Sequence, residues 1–296
     1  MLLQEIINHR LLICPDDNTE IIFENDKLLC PSCGRYFEII DHKIINMLPK
    51  EPSNFMVQQN KSYYEGYIKE FIKPFQLNEN SFAWGAPEIV PEGWKKKRFR
   101  EVSLLKELLN FKWKGDRIYL CDFSGGAGYY TLSYSDLFSC VLHCDLSIDS
   151  LSYTYLKSKL LGIENILFIR MDYFSPCVKN MDTSICLDTL IRGKEHETFL
   201  LTKLIKSIQT NGQVIVDFHN YFHNPLRRLG LLKENFSNNK SYTRKEIIDF
   251  LSSNFQYQYQ LEPFIQEISQ KNIFNNTIIR FLFPATRYLV RIFSFD

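Results

Sequence analysis

From residue 116 to the end, short apolar runs alternate with longer runs patterned for helices. "RIYLCDF", "CVLHCDLS", "ILFIRMD", "DTSICLDTL" and "GQVIVDFHN" have strand length and are apolar on both sides of the pleat. Between them, "GYYTLSYSDLF", "IDSLSYTYLKSKLLG" and "EHETFLLTKLIKSIQ" carry apolar residues at helical spacing. Strands apolar on both faces and separated by helices can be satisfied only inside a mostly parallel sheet covered on both sides. "TRKEIIDFLSS" is a later helix, opened by Thr243, and "QYQYQLEPF" and "TRYLVRIFSF" are the last strands, the terminal one antiparallel. The predicted fold class is therefore α/β, a doubly wound, mostly parallel sheet of seven strands.

The first strand runs into Asp122-Phe123-Ser124-Gly125-Gly126-Ala127-Gly128, where three of the twelve glycines of the chain fall within four residues. Glycines between a strand and a helix permit positive φ and close backbone approach. They also put free amides of a helix start beside a ligand. No Gly-Lys-Ser/Thr follows, which excludes the phosphate-cradling loop of nucleotide hydrolases, and the spacing is not G-x-G-x-x-G. Carboxylates recur at the ends of the next three strands: Asp145 in "LHCDLS", Asp172 in "FIRMDYF" and Asp188 in "CLDTL". The carboxyl edge of an open α/β sheet is where ligands bind. A carboxylate after the second strand suits two ribose hydroxyl donors, while Ser147 suits the cap of the following helix.

This series resembles class I S-adenosylmethionine-dependent methyltransferases, whose sheet is Rossmann-like. Asp122 and the loop match their D/E-x-G-x-G-x-G motif, with Ser124 in place of the first glycine. The resemblance covers roughly residues 114 to 296 and includes "IQTNGQVIVDF", similar to the family's turn into strand five. It implies cofactor contacts from Asp122, Ser124, Gly125, Gly126, Gly128, Asp145, Leu146, Asp172, Tyr173 and Asp188. Spacing assigns no catalytic residue. His196 and His219 follow strands four and five and are the candidates for a base, with His223 beside them, whereas His143 lies inside a strand pattern and reads as structural.

Residues 1 to 50 form a separate unit, a small β-rich module of short apolar runs and turns ending at Pro49. Cys30-Pro31-Ser32-Cys33-Gly34 has the form of a zinc knuckle, and Cys14-Pro15-Asp16-Asp17 stands where a second pair belongs, with Asp17 in the fourth position. Zinc accepts carboxylate oxygen, so Cys14, Asp17, Cys30 and Cys33 make a ligand set; His9 and His42 are the other fourth-ligand candidates, and a ribbon without metal is the alternative. "LLCPSCGRYFEIIDHKIINMLP" resembles the tail of a small zinc-ribbon domain that occurs as a methyltransferase activator subunit or N-terminal fusion. That likeness implies a structural zinc and a protein partner at this module.

Residues 51 to 113 read as helical cover and linker. Val102, Leu105, Leu108 and Leu109 share one helix face, and Tyr63 and Tyr64 lie in a stretch that by resemblance forms a lid. Lys95-Lys96-Lys97-Arg98 is the dense basic cluster, read as a solvated face or a phosphate contact. With a net charge of +1, the chain lacks the field of a generic polyanion binder. No signal peptide or membrane span is expected, and the cysteines read mostly as buried thiols, so the expectation is cytoplasmic. The expected activity is methyl transfer to O, N or C of a small or medium organic acceptor. The alternatives are a base of ribosomal or transfer RNA, and a non-catalytic binding module.

Overall fold

The computed structural model describes residues 2–41, 43–51, 92–112, 118–189, 194–223, 226, 229–231, 241–264 and 285–294. The first fifty residues hold α1 (Leu2–Asn8), β1 (Ile22–Glu24), β2 (Lys27–Leu29), β3 (Tyr36–Phe37), β4 (Ile39–Ile40) and β5 (Ile44–Asn46). After α2 (Glu92–Lys112) come β6 (Tyr119–Phe123), α3 (Tyr129–Tyr134), β7 (Cys140–Asp145), α4 (Ile148–Leu160), β8 (Ile166–Arg170), β9 (Met181–Cys186), α5 (Lys194–Ser207) and β10 (Ile208–His219). The chain closes with α6 (Arg244–Asn254), β11 (Tyr259–Phe264) and β12 (Arg287–Phe293). The Tyr63–Tyr64 stretch and most of the segment from 51 to 113 lie outside the described residues.

The main sheet has the order β11-β12-β10-β9-β6-β7-β8-β5-β4. Strands β5 to β10 are mutually parallel, and β12 runs antiparallel between β10 and β11. From β6 the chain winds outward to β7 on one side and returns to β9 on the other. The crevice at this reversal is the switch point where such sheets bind ligands. Every residue of β6 and of β7 is buried, as strands covered on both faces require.

The sheet is larger than the sequence pattern implies. Among the described residues the sheet has nine strands where seven were expected, because β4 and β5 of the N-terminal segment join it. Ile44, Ile45 and Asn46 pair with Phe168, Ile169 and Arg170 of β8. The remaining strands of that segment, β1-β2-β3, form a small antiparallel sheet of their own. Their apolar residues Leu28, Cys30 and Phe37 belong to the same core as Cys121, Cys144 and Met171 of the main sheet. Backbone bonds from Ile13 N to Cys177 O (2.8 Å) and from Lys179 N to Leu11 O (2.9 Å) add to the seam. Residues 1 to 50 therefore do not hang from a linker; they close one edge and part of one face of the sheet.

The two faces are covered by different elements. Helices α5 and α6 and the N-terminal segment pack on one side through Leu201, Leu204, Phe250 and Ile6. On the other side α2, α3 and α4 contribute Leu105, Leu108, Tyr134 and Leu151. The predicted apolar stripe of α2 is buried in full at Val102, Leu105, Leu108 and Leu109. Local signals set the helix ends. Ser147 Oγ accepts the Ser150 amide at 3.2 Å, and Thr243 with Glu246 forms a reciprocal capping box.

Candidate functional site

The glycine loop leaves β6 through alternating left-handed residues: Ser124 (φ 57°), Gly126 (φ 55°) and Gly128 (φ 76°). Ser124 takes this conformation without the freedom of glycine, at a cost of about 1–2 kcal/mol. A Cβ on Gly128 would stand 2.3 Å from Thr154 Cγ2, and one on Gly125 would stand 2.5 Å from the His143 ring. The loop is thus pressed onto α4 at one end and onto β7 at the other. At Gly126 the space is open, the nearest atom to a Cβ being a backbone oxygen at 4.0 Å.

Beneath the loop lies a buried polar chain. Asp122 Oδ2 is 2.5 Å from Thr131 Oγ1, which is 2.7 Å from His143 Nδ1, and His143 Nε2 is 3.1 Å from Gly126 O. Three hydrogen bonds need three protons. The Gly126 carbonyl only accepts, so Nε2 carries one. The threonine hydroxyl supplies a second. The third resides on the Asp122 carboxyl or on Nδ1, so the chain holds one shared titratable proton. Burial favours the neutral arrangement: it pushes Asp122 up to about 7 and His143 down to about 4. His143, read from sequence as structural, is the prop of the loop.

Asp145 ends β7 and is buried. Its Oδ2 accepts the Gly126 amide and its Oδ1 the Ser147 amide, both at 2.8 Å. Burial raises its pKa to about 6 against the pull of these amides. The Leu146 amide draws on the same carboxylate. Leu146 follows, and its carbonyl accepts Arg170 Nε at 3.2 Å. Asp172 is buried, and its Oδ1 accepts the Phe174 amide at 2.9 Å, which shapes the turn bearing Tyr173.

Asp188 follows β9 with φ 61°. Sequence reasoning assigned it alone, but it belongs to a network. The Tyr130 hydroxyl donates to Asp188 Oδ2 at 3.0 Å, and the Asp188 amide donates to Asp217 Oδ1 at 2.8 Å. Arg287 binds Asp217 Oδ2 at 2.5 Å and also pairs with Asp188 and with Glu101 of α2. His219 Nε2 stands 3.8 Å from Asp188 Oδ1 at the rim. Asp188, Asp217 and His219 lie close enough to share a cation, and the Arg287 guanidinium already supplies one there. Neither Arg287, Asp217, Glu101 nor Tyr130 carries a motif. The one available signal was a charged residue, Asp217, directly after the apolar run Val214-Ile215-Val216 of β10. His196 lies on α5, its side chain outside the described residues, and His223 is exposed in the turn after β10.

In the N-terminal segment the ligand atoms of Cys14, Asp17, Cys30 and Cys33 gather within 4.8 Å of one another. Cys14 Sγ is 3.9 Å from Cys33 Sγ, and Cys30 Sγ is 3.4 Å from Asp17 Oδ2. A tetrahedral zinc with Zn–S bonds of about 2.3 Å spaces its ligands at about 3.8 Å, so the four fit the ion. His9 instead packs its ring on Tyr119 at 5.4 Å, and His42 lies outside the described residues.

No protein-family model matches the sequence, and no curated protein matches it. The fold has counterparts among solved structures. Magnesium protoporphyrin IX methyltransferase from Synechocystis PCC 6803 with bound SAH has a TM-score of 0.51 at 16% identity, covering 69% of this chain and 88% of that one. The same enzyme with bound SAM gives 0.50 at 14% identity over 80% and 94%. The DhpI-SAM-HEP complex gives 0.50 at 13% identity over 82% and 100%. At these identities the likeness is one of fold.

Proposed function

We propose that this chain is an S-adenosylmethionine-dependent methyltransferase that delivers a methyl group to O, N or C of a small or medium organic acceptor. The observation that carries the reading is the set Asp122, Asp145, Asp172 and Asp188 on one sheet edge, around a loop with three left-handed residues at the switch point. When bound, the cofactor supplies a sulfonium methyl already activated for attack. The chain has then to align the acceptor, exclude water and hold a proton.

Each residue has a role in this reading. The Asp145 carboxylate receives the ribose hydroxyls, and Leu146 gives an apolar edge to the base. Asp172 and the Tyr173 backbone meet the adenine. Ser124, Gly125, Gly126 and Gly128 admit the amino-acid end, over Asp122. Asp188 and His219 stand at the mouth, where His219 is placed to take a proton from the acceptor; His196 is the second candidate. Calorimetry with S-adenosylmethionine tests the assignment. Binding should weaken at least about tenfold in Asp145→Ala, the loss of roughly one charge-assisted hydrogen bond. Absence of binding by the native chain sinks the reading.

We further propose that Cys14, Asp17, Cys30 and Cys33 hold a structural zinc, supported by their spacing. Residues 1 to 50, 51 to 113 and 114 to 296 would then act as zinc module, cover and catalytic domain, the first also offering a surface to a protein partner. Among the described residues no helix is long and apolar enough to cross a membrane. The eight cysteines form no disulfide with one another, which suits the reducing cytoplasm in which we place the chain.

A further inference from the structure

The segment that carries Asp172 and Tyr173, residues 171–180, links β8 to β9 and lies outside every helix and strand. Its turn is shaped by bonds from Phe174 N to Asp172 Oδ1 and from Ser175 N to Asp172 O, both at 2.9 Å. Its two ends are fastened by the N-terminal segment. Before it, Met47 N donates to Arg170 O at 2.9 Å, directly after the pairing of Asn46 with Arg170. After it, Leu12 bridges Val178, Ile13 N donates to Cys177 O, and Lys179 N donates to Leu11 O. A stretch outside regular structure takes much of its order from what holds its ends.

Both fastenings lead to the cysteine cluster. Ile13 is followed at once by Cys14. Met47 leads into residues 48–50, which both ligand turns grip. Arg35, two residues after Cys33, donates through Nη2 to Leu48 O at 2.7 Å. Asp16, one residue before Asp17, accepts Lys50 N on Oδ1 at 2.8 Å. Arg35 Nη1 and Asp16 Oδ2 join the two grips at 2.7 Å. Asp16 and Arg35 come from different turns, which meet at Cys14, Asp17, Cys30 and Cys33. Their side chains keep 19% and 22% exposure, and an ion pair in contact with water contributes little by itself. An ion bound by all four ligands cross-links the turns and holds the pair closed.

We propose that zinc at Cys14, Asp17, Cys30 and Cys33 controls the affinity of this chain for S-adenosylmethionine, with Asp16 and Arg35 as the positioning residues that carry the effect to the turn of Asp172 and Tyr173. The inference rests on the two readings above, zinc in the cluster and the adenine at that turn, and adds the coupling between them. With the ion in place, both ends of segment 171–180 are held and the turn is pre-formed. Without it, the segment has to be ordered at the expense of binding. Such coupling is reciprocal: the cofactor tightens zinc by the same factor by which zinc tightens the cofactor.

The test uses full-length protein in three forms: zinc-loaded, stripped by a chelator, and reloaded. The probe is S-adenosylhomocysteine, followed by calorimetry. Its affinity should fall about tenfold in stripped protein and return on reloading. Zinc affinity, measured by competition with a chromogenic chelator, should rise by the same factor when S-adenosylhomocysteine is saturating. Arg35→Met keeps all four ligands and decides the case if stripped protein unfolds. With zinc in excess, this variant should bind the probe about three- to tenfold more weakly, and amide hydrogen exchange should quicken in residues 171–180. Equal affinity with and without zinc in folded protein, or native affinity and exchange in Arg35→Met, overturns the proposal. The readings beneath it fail differently. Protein that takes up no zinc removes the metal reading, and zinc-loaded protein that ignores S-adenosylhomocysteine removes the methyltransferase reading; either takes this proposal with it. Binding of both without coupling refutes the proposal alone.

Discussion

His143 Nε2 stands 3.1 Å from the carbonyl oxygen of Gly126, so a side chain of the second strand holds the loop that leaves the first. The contact fixes the tautomer of the ring and, through Thr131, the proton that Asp122 shares.

A pH dependence follows. Burial raises Asp122 from 3.8 to about 7, so its contribution to stability is complete below about pH 4 and is lost as pH rises through about 7. His143, depressed to about 4, acts with opposite sign between about 4 and 6.5 and masks part of this in the native chain. Asp122→Asn keeps a donor toward Thr131 at every pH. The variant should gain on the native protein from pH 4 to 7 by about 1.4 kcal/mol per unit and run parallel above 8. Urea midpoints across that range measure it, and a constant difference would show that Asp122 is ionised throughout.

Thr131→Val removes the middle of the chain and keeps its shape. The Asp122 carboxyl and His143 Nδ1 would each lose a buried hydrogen bond, at a cost of about 2–5 kcal/mol in chemical denaturation. A neutral result would mean that water replaces the hydroxyl.

The glycines should differ in tolerance. Gly128→Ala meets Thr154 at 2.3 Å in a left-handed backbone, whereas Gly126→Ala meets open space. The first should destabilise by several kcal/mol and the second by about 1–2 kcal/mol, the conformational cost alone. Ser124→Gly relieves the same strain and should stabilise by about 1 kcal/mol. Equal losses at 126 and 128 would contradict the packing of the loop on α4.

Arg287→Met leaves Glu101, Asp188 and Asp217 without their shared cation. Removing one partner of a buried ion network costs about 3–5 kcal/mol. The loss should shrink when Asp217→Asn is combined with it, because one of the three repelling carboxylates is then gone. Urea midpoints of the single and double variants compare the two. Losses that simply add would indicate that packing, not charge, is what Arg287 provides.

With zinc in the four-ligand cluster, one equivalent should copurify, and a strong chelator should lower the melting temperature. Asp17→Ala should weaken retention while Cys33→Ser abolishes it. Metal-free protein that melts identically with and without added zinc would show that the ribbon stands on its apolar residues.

The local levels of this structure were legible along the chain. Seven strands from 119 to 293, the α2 stripe and the caps at Ser147 and Thr243 depend on periodicity and on neighbours three or four residues away. The carboxylates at 122, 145, 172 and 188 were visible for a related reason, since strand ends mark one edge of a parallel sheet. The convergence of Cys14, Asp17, Cys30 and Cys33 was readable because spacing within one small unit limits what can meet. Long-range pairing decided the rest. Only the assembled sheet could place β5 against β8, since a three-residue strand carries too little pattern to name its partner. Only packing could join Arg287 to Glu101 across 185 intervening positions and bring His143 under Gly126. Those contacts arise from burial of charged and polar groups that must find partners wherever the fold brings them, and sequence spacing holds no record of that distance.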